Sequence, residues 1–133
     1  MSILVDTHVL IWSLIAPDRL PTAVTRCLLD PERAKLVSPV TFWEISLKSA
    51  LGKLDLQGID PEGLVDEAIA AGFRHTPIDP RHAATLFKLP EKTKHKDPFD
   101  RLLIWQCIEE GFEMLTVDTR FAEYAEHGLT LAA

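Results

Sequence analysis

Ile3-Leu4-Val5-Asp6-Thr7 opens the chain with a short apolar run that stops at a carboxylate, and Met114-Leu115-Thr116-Val117-Asp118 repeats that grammar near the far end. Each run has strand length, and each acid is followed by a helical pattern, so each acid falls at the carboxyl end of a strand. In a parallel sheet such ends lie side by side, and open α/β folds place their sites there. Two carboxylates far apart in sequence are thereby expected to meet. Groups of carboxylates are how proteins hold magnesium or manganese.

Reading outward from these two runs, strands are expected over residues 3–6, 35–38, 73–78, 113–118 and 129–131. Helices are expected over 7–14, 22–29, 39–51, 61–71, 80–87, 98–110 and 119–124. Pro17 and Pro21 interrupt the first helical stretch, and Gly52, Gly72 and Gly111 close three later ones. Residues 91–96 form a polar, basic loop. Alternating strands and helices imply βαβ units and a largely parallel sheet covered on both faces. The expected fold is α/β, a three-layer α/β/α sandwich with a mostly parallel central sheet. At 133 residues it is read as one domain over 1–133.

Composition narrows the class. Apolar residues make up 47% and charged residues 26%, the balance of a globular chain rather than a disordered one. No apolar stretch approaches the roughly 20 residues that span a bilayer, and the N-terminus meets Asp6 with no basic flank, so a cytoplasmic protein without membrane association is expected. Cys27 and Cys107 have no Cys or His at ligand spacing, and the five histidines form no H-x-x-x-H pair, which argues against zinc. A net charge of −6 weighs against nucleic-acid binding when taken alone. Lys88, Lys92, Lys94, Lys96 and Arg101 crowd one stretch, however, and carboxylates holding divalent ions no longer count as bare negative charge.

Every acid has a competing structural explanation. Asp-Pro occurs four times, at Asp30-Pro31, Asp60-Pro61, Asp79-Pro80 and Asp97-Pro98, and each pair suits a helix start, with Asp as N-cap and Pro in the first turn. Asp6 and Asp118 can equally cap the helices that follow them. Asp97 fits an N-cap, and Asp100 then stands at the third helical position, facing the positive end of the helix dipole. Glu44 is different. It lies inside a helix among Phe42, Trp43 and Ile45, where an ionised carboxylate is costly unless paired or coordinating; the alternative is an i,i+4 pair with Lys48. Jointly, Asp6, Glu44, Asp100 and Asp118 all fall at strand ends or on the helices that follow, so a parallel sheet gathers them at one edge. Acids so gathered repel one another without cations between them, and an oxygen-only donor set selects Mg²⁺ or Mn²⁺.

Four stretches resemble the PIN-domain ribonucleases, in particular the VapC-type toxins of bacterial toxin–antitoxin pairs: Leu4-Val5-Asp6-Thr7, Ser38-Pro39-Val40-Thr41-Phe42-Trp43-Glu44-Ile45, His95-Lys96-Asp97-Pro98-Phe99-Asp100-Arg101-Leu102-Leu103-Ile104 and Leu115-Thr116-Val117-Asp118-Thr119-Arg120-Phe121. They follow in family order over almost the whole chain. The resemblance implies a PIN-like fold and an acidic quartet of Asp6, Glu44, Asp100 and Asp118. Thr7 and Thr116 fall at hydroxyl positions beside the acids, where ordinary turn and strand hydrogen bonding explains them equally well. Asp97 matches a subset of the family and is read as a cap standing beside the ligands.

The implied activity is metal-dependent endoribonuclease, with Mg²⁺ or Mn²⁺ activating a water against an RNA phosphodiester. Lys92, Lys94, Lys96 and Arg101 are candidate phosphate contacts, with a solvated loop as the alternative. The resemblance also implies a homodimer and a cognate antitoxin. Trp12, Phe42 and Trp43 are candidate apolar surface for that partner, or simply core. A catalytically silent PIN-like module that binds RNA or protein is the alternative function, and its sign is a missing acid; none is missing. A haloacid-dehalogenase-type phosphatase needs a second Asp where His8 stands. A receiver domain needs a phosphoacceptor Asp where Asp79-Pro80 reads as a cap.

Overall fold

Five short strands assemble into one sheet in the order β3-β2-β1-β4-β5, and every pairing is parallel. In this computed structural model, which describes residues 2–92 and 95–133, the strands are β1 (Ser2–Val5), β2 (Ala34–Val37), β3 (Arg74–His75), β4 (Glu113–Leu115) and β5 (Thr130–Leu131). The helices are α1 (Thr7–Ile15), α2 (Thr22–Leu29), α3 (Pro39–Ala50), α4 (Pro61–Ala70), α5 (Pro80–Thr85) and α6 (Pro98–Glu110). Single 3₁₀ turns lie at Pro17–Arg19 and Leu86–Lys88, and a longer 3₁₀ run covers Thr119–His127.

β1 alternates between two cores, as the period of a strand requires. Ile3 and Val5 face one side with Val9, Leu10, Ile45, Leu64, Ala68 and Phe73. Leu4 faces the other with Leu103, Ile104, Cys107, Met114, Phe121 and Tyr124. α1, α2 and α4 cover the first face, α5 and α6 the second, which makes the three-layer sandwich. Cys107 sits in the second core, where burial pushes its thiol pKa well up. Among the described residues no helix is long and apolar enough to cross a membrane.

Topology places the functional edge. From β1 the chain steps outward through β2 to β3, then returns to the opposite side of β1 as β4 and continues to β5. The reversal falls between β1 and β4, and crevices at such switch points, beyond the carboxyl ends of the strands, are where α/β sheets bind ligands. Asp6 follows β1 directly, and its N–H donates to the Leu115 carbonyl of β4 at 3.1 Å.

Three sequence expectations need correcting, and the first concerns β4: of the strand expected over 113–118, only Glu113–Leu115 is paired. The strand expected over 73–78 is hydrogen-bonded as a strand only at Arg74–His75. It is the sheet edge, paired on one side only, and Pro77 has no N–H to extend the ladder. The segment after Asp118 forms 3₁₀ turns reaching His127 instead of an α-helix ending at 124; local spacing does not separate the two at this length.

Gly111 ends α6 at φ 74°, and a Cβ added there meets nothing within 4 Å. Gly111→Ala therefore carries only the left-handed backbone cost, about 1–2 kcal/mol, expected as a lowered urea midpoint with an unchanged slope.

Candidate active site

Three of the clustered acids, Asp6, Asp97 and Asp118, also cap the helix or 3₁₀ run that follows them. Asp6 is the N-cap of α1: its Oδ1 accepts from Val9 N–H at 2.8 Å, while Oδ2 accepts from the Thr116 hydroxyl. That same hydroxyl oxygen accepts from Asp118 N–H at 3.0 Å, so Thr116 links the acids at the ends of β1 and β4. Asp118 caps the 3₁₀ run through Oδ1, which takes Arg120 N–H at 2.9 Å, and the Arg120 guanidinium grips both carboxylate oxygens, Nη2 reaching Oδ2 at 2.7 Å. Asp97 caps α6, one oxygen accepting from Phe99 N–H at 2.9 Å and Asp100 N–H at 3.0 Å. Capping and site-building are thus not alternatives here.

Glu44 is only 2% exposed, inside α3 as the sequence suggests, with both oxygens engaged. Thr7 donates its hydroxyl to Oε1 at 2.5 Å. Lys48, one turn on, pairs with Oε2. Thr7 thereby connects the start of α1 to α3, as Thr116 connects β1 to β4.

Asp100 is the hub. One oxygen each from Glu44, Asp97 and Asp100 lie within 4.8 Å of one another, and a second group of that span contains Asp100, Asp118 and a ring nitrogen of His95. Asp6 is coupled electrostatically to Asp100. Asp100 thus joins Glu44 and Asp97 on one side to Asp118 on the other, with Asp6 linked to Asp118 through Thr116 and Glu44 to the start of α1 through Thr7.

The charges respond to being crowded. Burial pushes the Asp6 carboxyl up to about 6, against the pull of the Thr116 hydroxyl, the Val9 N–H and His8, with the Asp100 charge adding to the rise. Asp100 is also raised, first by burial, then by Asp97 and Glu44, with the His95 hydrogen bond opposing. Asp118 moves the other way, because the Arg120 hydrogen bond holds it ionised. Raised carboxyls in a shared pocket mark an unmet demand for positive charge. Their oxygen donors fit a hard divalent ion: Asp6 and Asp100 offer ligand oxygens, Asp118 does so in competition with Arg120, and Glu44 in competition with Lys48.

His95 was passed over in the search for zinc spacing, yet it braces the hub. Fully buried, it reaches Asp100 Oδ2 through Nε2 at 3.0 Å and Tyr124 Oη through Nδ1 at 3.1 Å. An ionised Asp100 needs a donor, so Nε2 carries the proton and Nδ1 accepts from the Tyr124 hydroxyl. The signal available in sequence was a histidine five residues before an acid at a helix start. Tyr124→Phe strips Nδ1 of its donor inside the core and is expected to cost about 1–3 kcal/mol, read from the urea unfolding midpoint.

The basic stretch is reassigned in part. Arg101, expected at a phosphate, braces the loop instead, donating to the Leu89 carbonyl at 2.8 Å, the Pro90 carbonyl at 3.1 Å and Tyr124 Oη at 3.2 Å. Lys92 pairs with Glu126 at 2.6 Å. Lys96 is exposed, and Lys94 lies outside the described residues. Of the three apolar candidates, Trp43 is 60% exposed and stacks edge-on against Phe99, whereas Trp12 and Phe42 pack partly buried against the first core.

Fold and site together define an α/β protein with a carboxylate pocket at the switch point of a parallel sheet. The chain belongs to the PIN domain family, whose model matches residues 3–127. It is 27% identical over 123 residues to Ribonuclease VapC22 of Mycobacterium tuberculosis, covering 92% of each sequence. Among solved structures, its fold is similar to a chain of VapBC2 from Rickettsia felis bound to a promoter DNA fragment (TM-score 0.71, 14% identity, 98% of this chain and 97% of that one). It is also similar to a chain of DNA-bound VapBC from Salmonella typhimurium (TM-score 0.66, 18% identity, 98% and 96%).

Proposed function

We propose that this chain is a metal-dependent endoribonuclease, the toxin of a toxin–antitoxin pair, acting as a single PIN domain in the cytoplasm. The observation that carries the reading is the interlocked pocket: Asp6, Glu44, Asp100 and Asp118 joined through Thr7 and Thr116. Family membership and the likeness to Ribonuclease VapC22 support it. A bound Mg²⁺ or Mn²⁺ supplies acidified water and positive charge for the phosphodiester. Asp6, Asp100 and Asp118 hold the ion, His95 keeps Asp100 aimed, and a pocket carboxylate takes the proton released from water. The exposed Lys96 is the proposed phosphate contact on the loop beside the site, with Lys94, two residues before it in sequence, and Lys92, on exchange from Glu126, proposed alongside it. No side chain acts as the nucleophile.

An antitoxin and a second copy of the chain are the proposed protein partners, as the complexes named for the structural neighbours suggest. Trp43, Leu47 and Leu51 are exposed at four-residue spacing along α3 and just beyond it, an apolar stripe that suits a protein contact.

Purified protein incubated with labelled RNA is expected to cleave it in Mn²⁺ or Mg²⁺ and to stop in EDTA, with activity restored by added metal. Metal-independent cleavage, or binding without cleavage under every metal condition, rejects the nuclease reading; the second outcome favours a silent binding module.

A further inference from the structure

Two groups of ligand atoms lie in the carboxylate cluster; Arg120 grips the Asp118 end from an exposed position, and the buried Glu44 end also contains a cation. Glu44, Asp97 and Asp100 bring an oxygen each within 4.8 Å of the others, an oxygen-only donor set of the kind a hard divalent ion takes. Lys48 reaches into the same place. Its ammonium pairs with Glu44 Oε2 and lies within the electrostatic reach of Asp97 and Asp100. Glu44 cannot turn away, because Thr7 holds the other oxygen from a buried position. The lysine side chain is 28% exposed, open to a substrate entering from solvent.

We infer that the Lys48 ammonium is the second cation of this pocket: the chain binds one divalent ion, with Asp6, Asp100 and Asp118, and Lys48 stands where another would sit. The inference rests on the reading of the pocket as a metal centre. Lys48 then has two tasks. It neutralises Glu44 and the Asp97–Asp100 pair before substrate arrives, and it offers N–H groups to a phosphate oxygen of the bound RNA as the diester is hydrolysed. An ammonium does this as a compact charge with three donors and no fixed geometry. The reaction remains hydrolysis: water adds to phosphorus, the sugar oxygen leaves and takes up a proton, and Lys48 keeps its own.

Manganese binding to the metal-free, full-length protein tests this by calorimetry and by electron paramagnetic resonance. Wild type is expected to take one Mn²⁺ per chain and Lys48→Met two. Lys48→Arg, which retains the charge, is expected to stay at one. Cleavage by Lys48→Met is expected to fall on the order of 10²-fold at low Mn²⁺ and to recover as Mn²⁺ is raised, because a second ion replaces the missing charge. A lysine that merely supported α3 gives no such metal-dependent recovery. Two ions of similar affinity in wild type overturn the inference without needing any variant to fold. A folded Lys48→Met that still binds one ion also overturns it. Absence of Mn²⁺ binding by wild type instead defeats the metal-centre reading beneath it.

Discussion

Asp100→Asn is expected to lower RNA cleavage on the order of 10²–10³-fold while leaving the fold intact. The scale is that of removing one electrostatic partner from a preorganised site. Asp100 belongs to both groups of ligand atoms in the pocket, so its loss weakens each at once. The replacement is nearly isosteric, and its amide oxygen still accepts the His95 Nε2 proton that Asp100 Oδ2 receives at 3.0 Å. It also removes a like charge that Asp97 and Glu44 oppose, so stability is not expected to fall. The check is a single-turnover cleavage assay in Mn²⁺ beside a urea melt. Activity within tenfold of wild type in a folded Asp100→Asn protein contradicts the assignment.

The second large effect is on stability, and it separates site from scaffold. Asp6 rises from 3.8 to about 6 on folding, chiefly through burial. Between those values the folded state binds more protons than the unfolded chain, so metal-free wild type loses stability as pH climbs from about 4 to about 6 and keeps that deficit above 6. At 1.36 kcal/mol per pH unit the deficit is about 3 kcal/mol. Asn at this position carries no charge, still accepts from Val9 N–H, and can donate its amide to the Thr116 oxygen. Asp6→Asn is therefore expected to be more stable than wild type by about 3 kcal/mol at pH 7.5 in EDTA and equal to it below pH 4, measured by urea unfolding at both.

Manganese reverses the order. At a thousandfold excess over its dissociation constant an ion adds about 4.1 kcal/mol to a protein that binds it only when folded, more than the deficit at Asp6, and Asp6→Asn forgoes that gain. A variant less stable than wild type in EDTA at pH 7.5 rules out burial strain at Asp6.

Much of this was legible before any coordinates, because it is written in local chemistry. A strand stopping at Asp6 or Asp118, an Asp-Pro pair opening α6 and an acid among apolar neighbours at Glu44 are each readable within a few residues. What escaped reading was the other end of each long side chain. Lys92 reads as a phosphate contact because it is a cation on a polar loop, and Arg101 because it follows that loop in α6; their partners are Glu126, Tyr124 and the carbonyls of Leu89 and Pro90. His95 looked idle because its partners lie five and 29 residues along the chain. The edge strand Arg74–His75 is short for the same reason: pairing is a property of two strands, and only one neighbour is there.

By itself, then, the order of amino acids determined the layered α/β class and the four acids worth watching, since periodicity, capping and the cost of a buried charge act over a turn or two. Only the tertiary structure decided that β4 returns beside β1, that Thr116 and Thr7 stitch the acids together, and that Glu44, paired locally with Lys48, stands beside Asp97 and Asp100. Those are distances between residues far apart in sequence, and through-space interactions of charges and hydrogen bonds come into being only when the chain has closed.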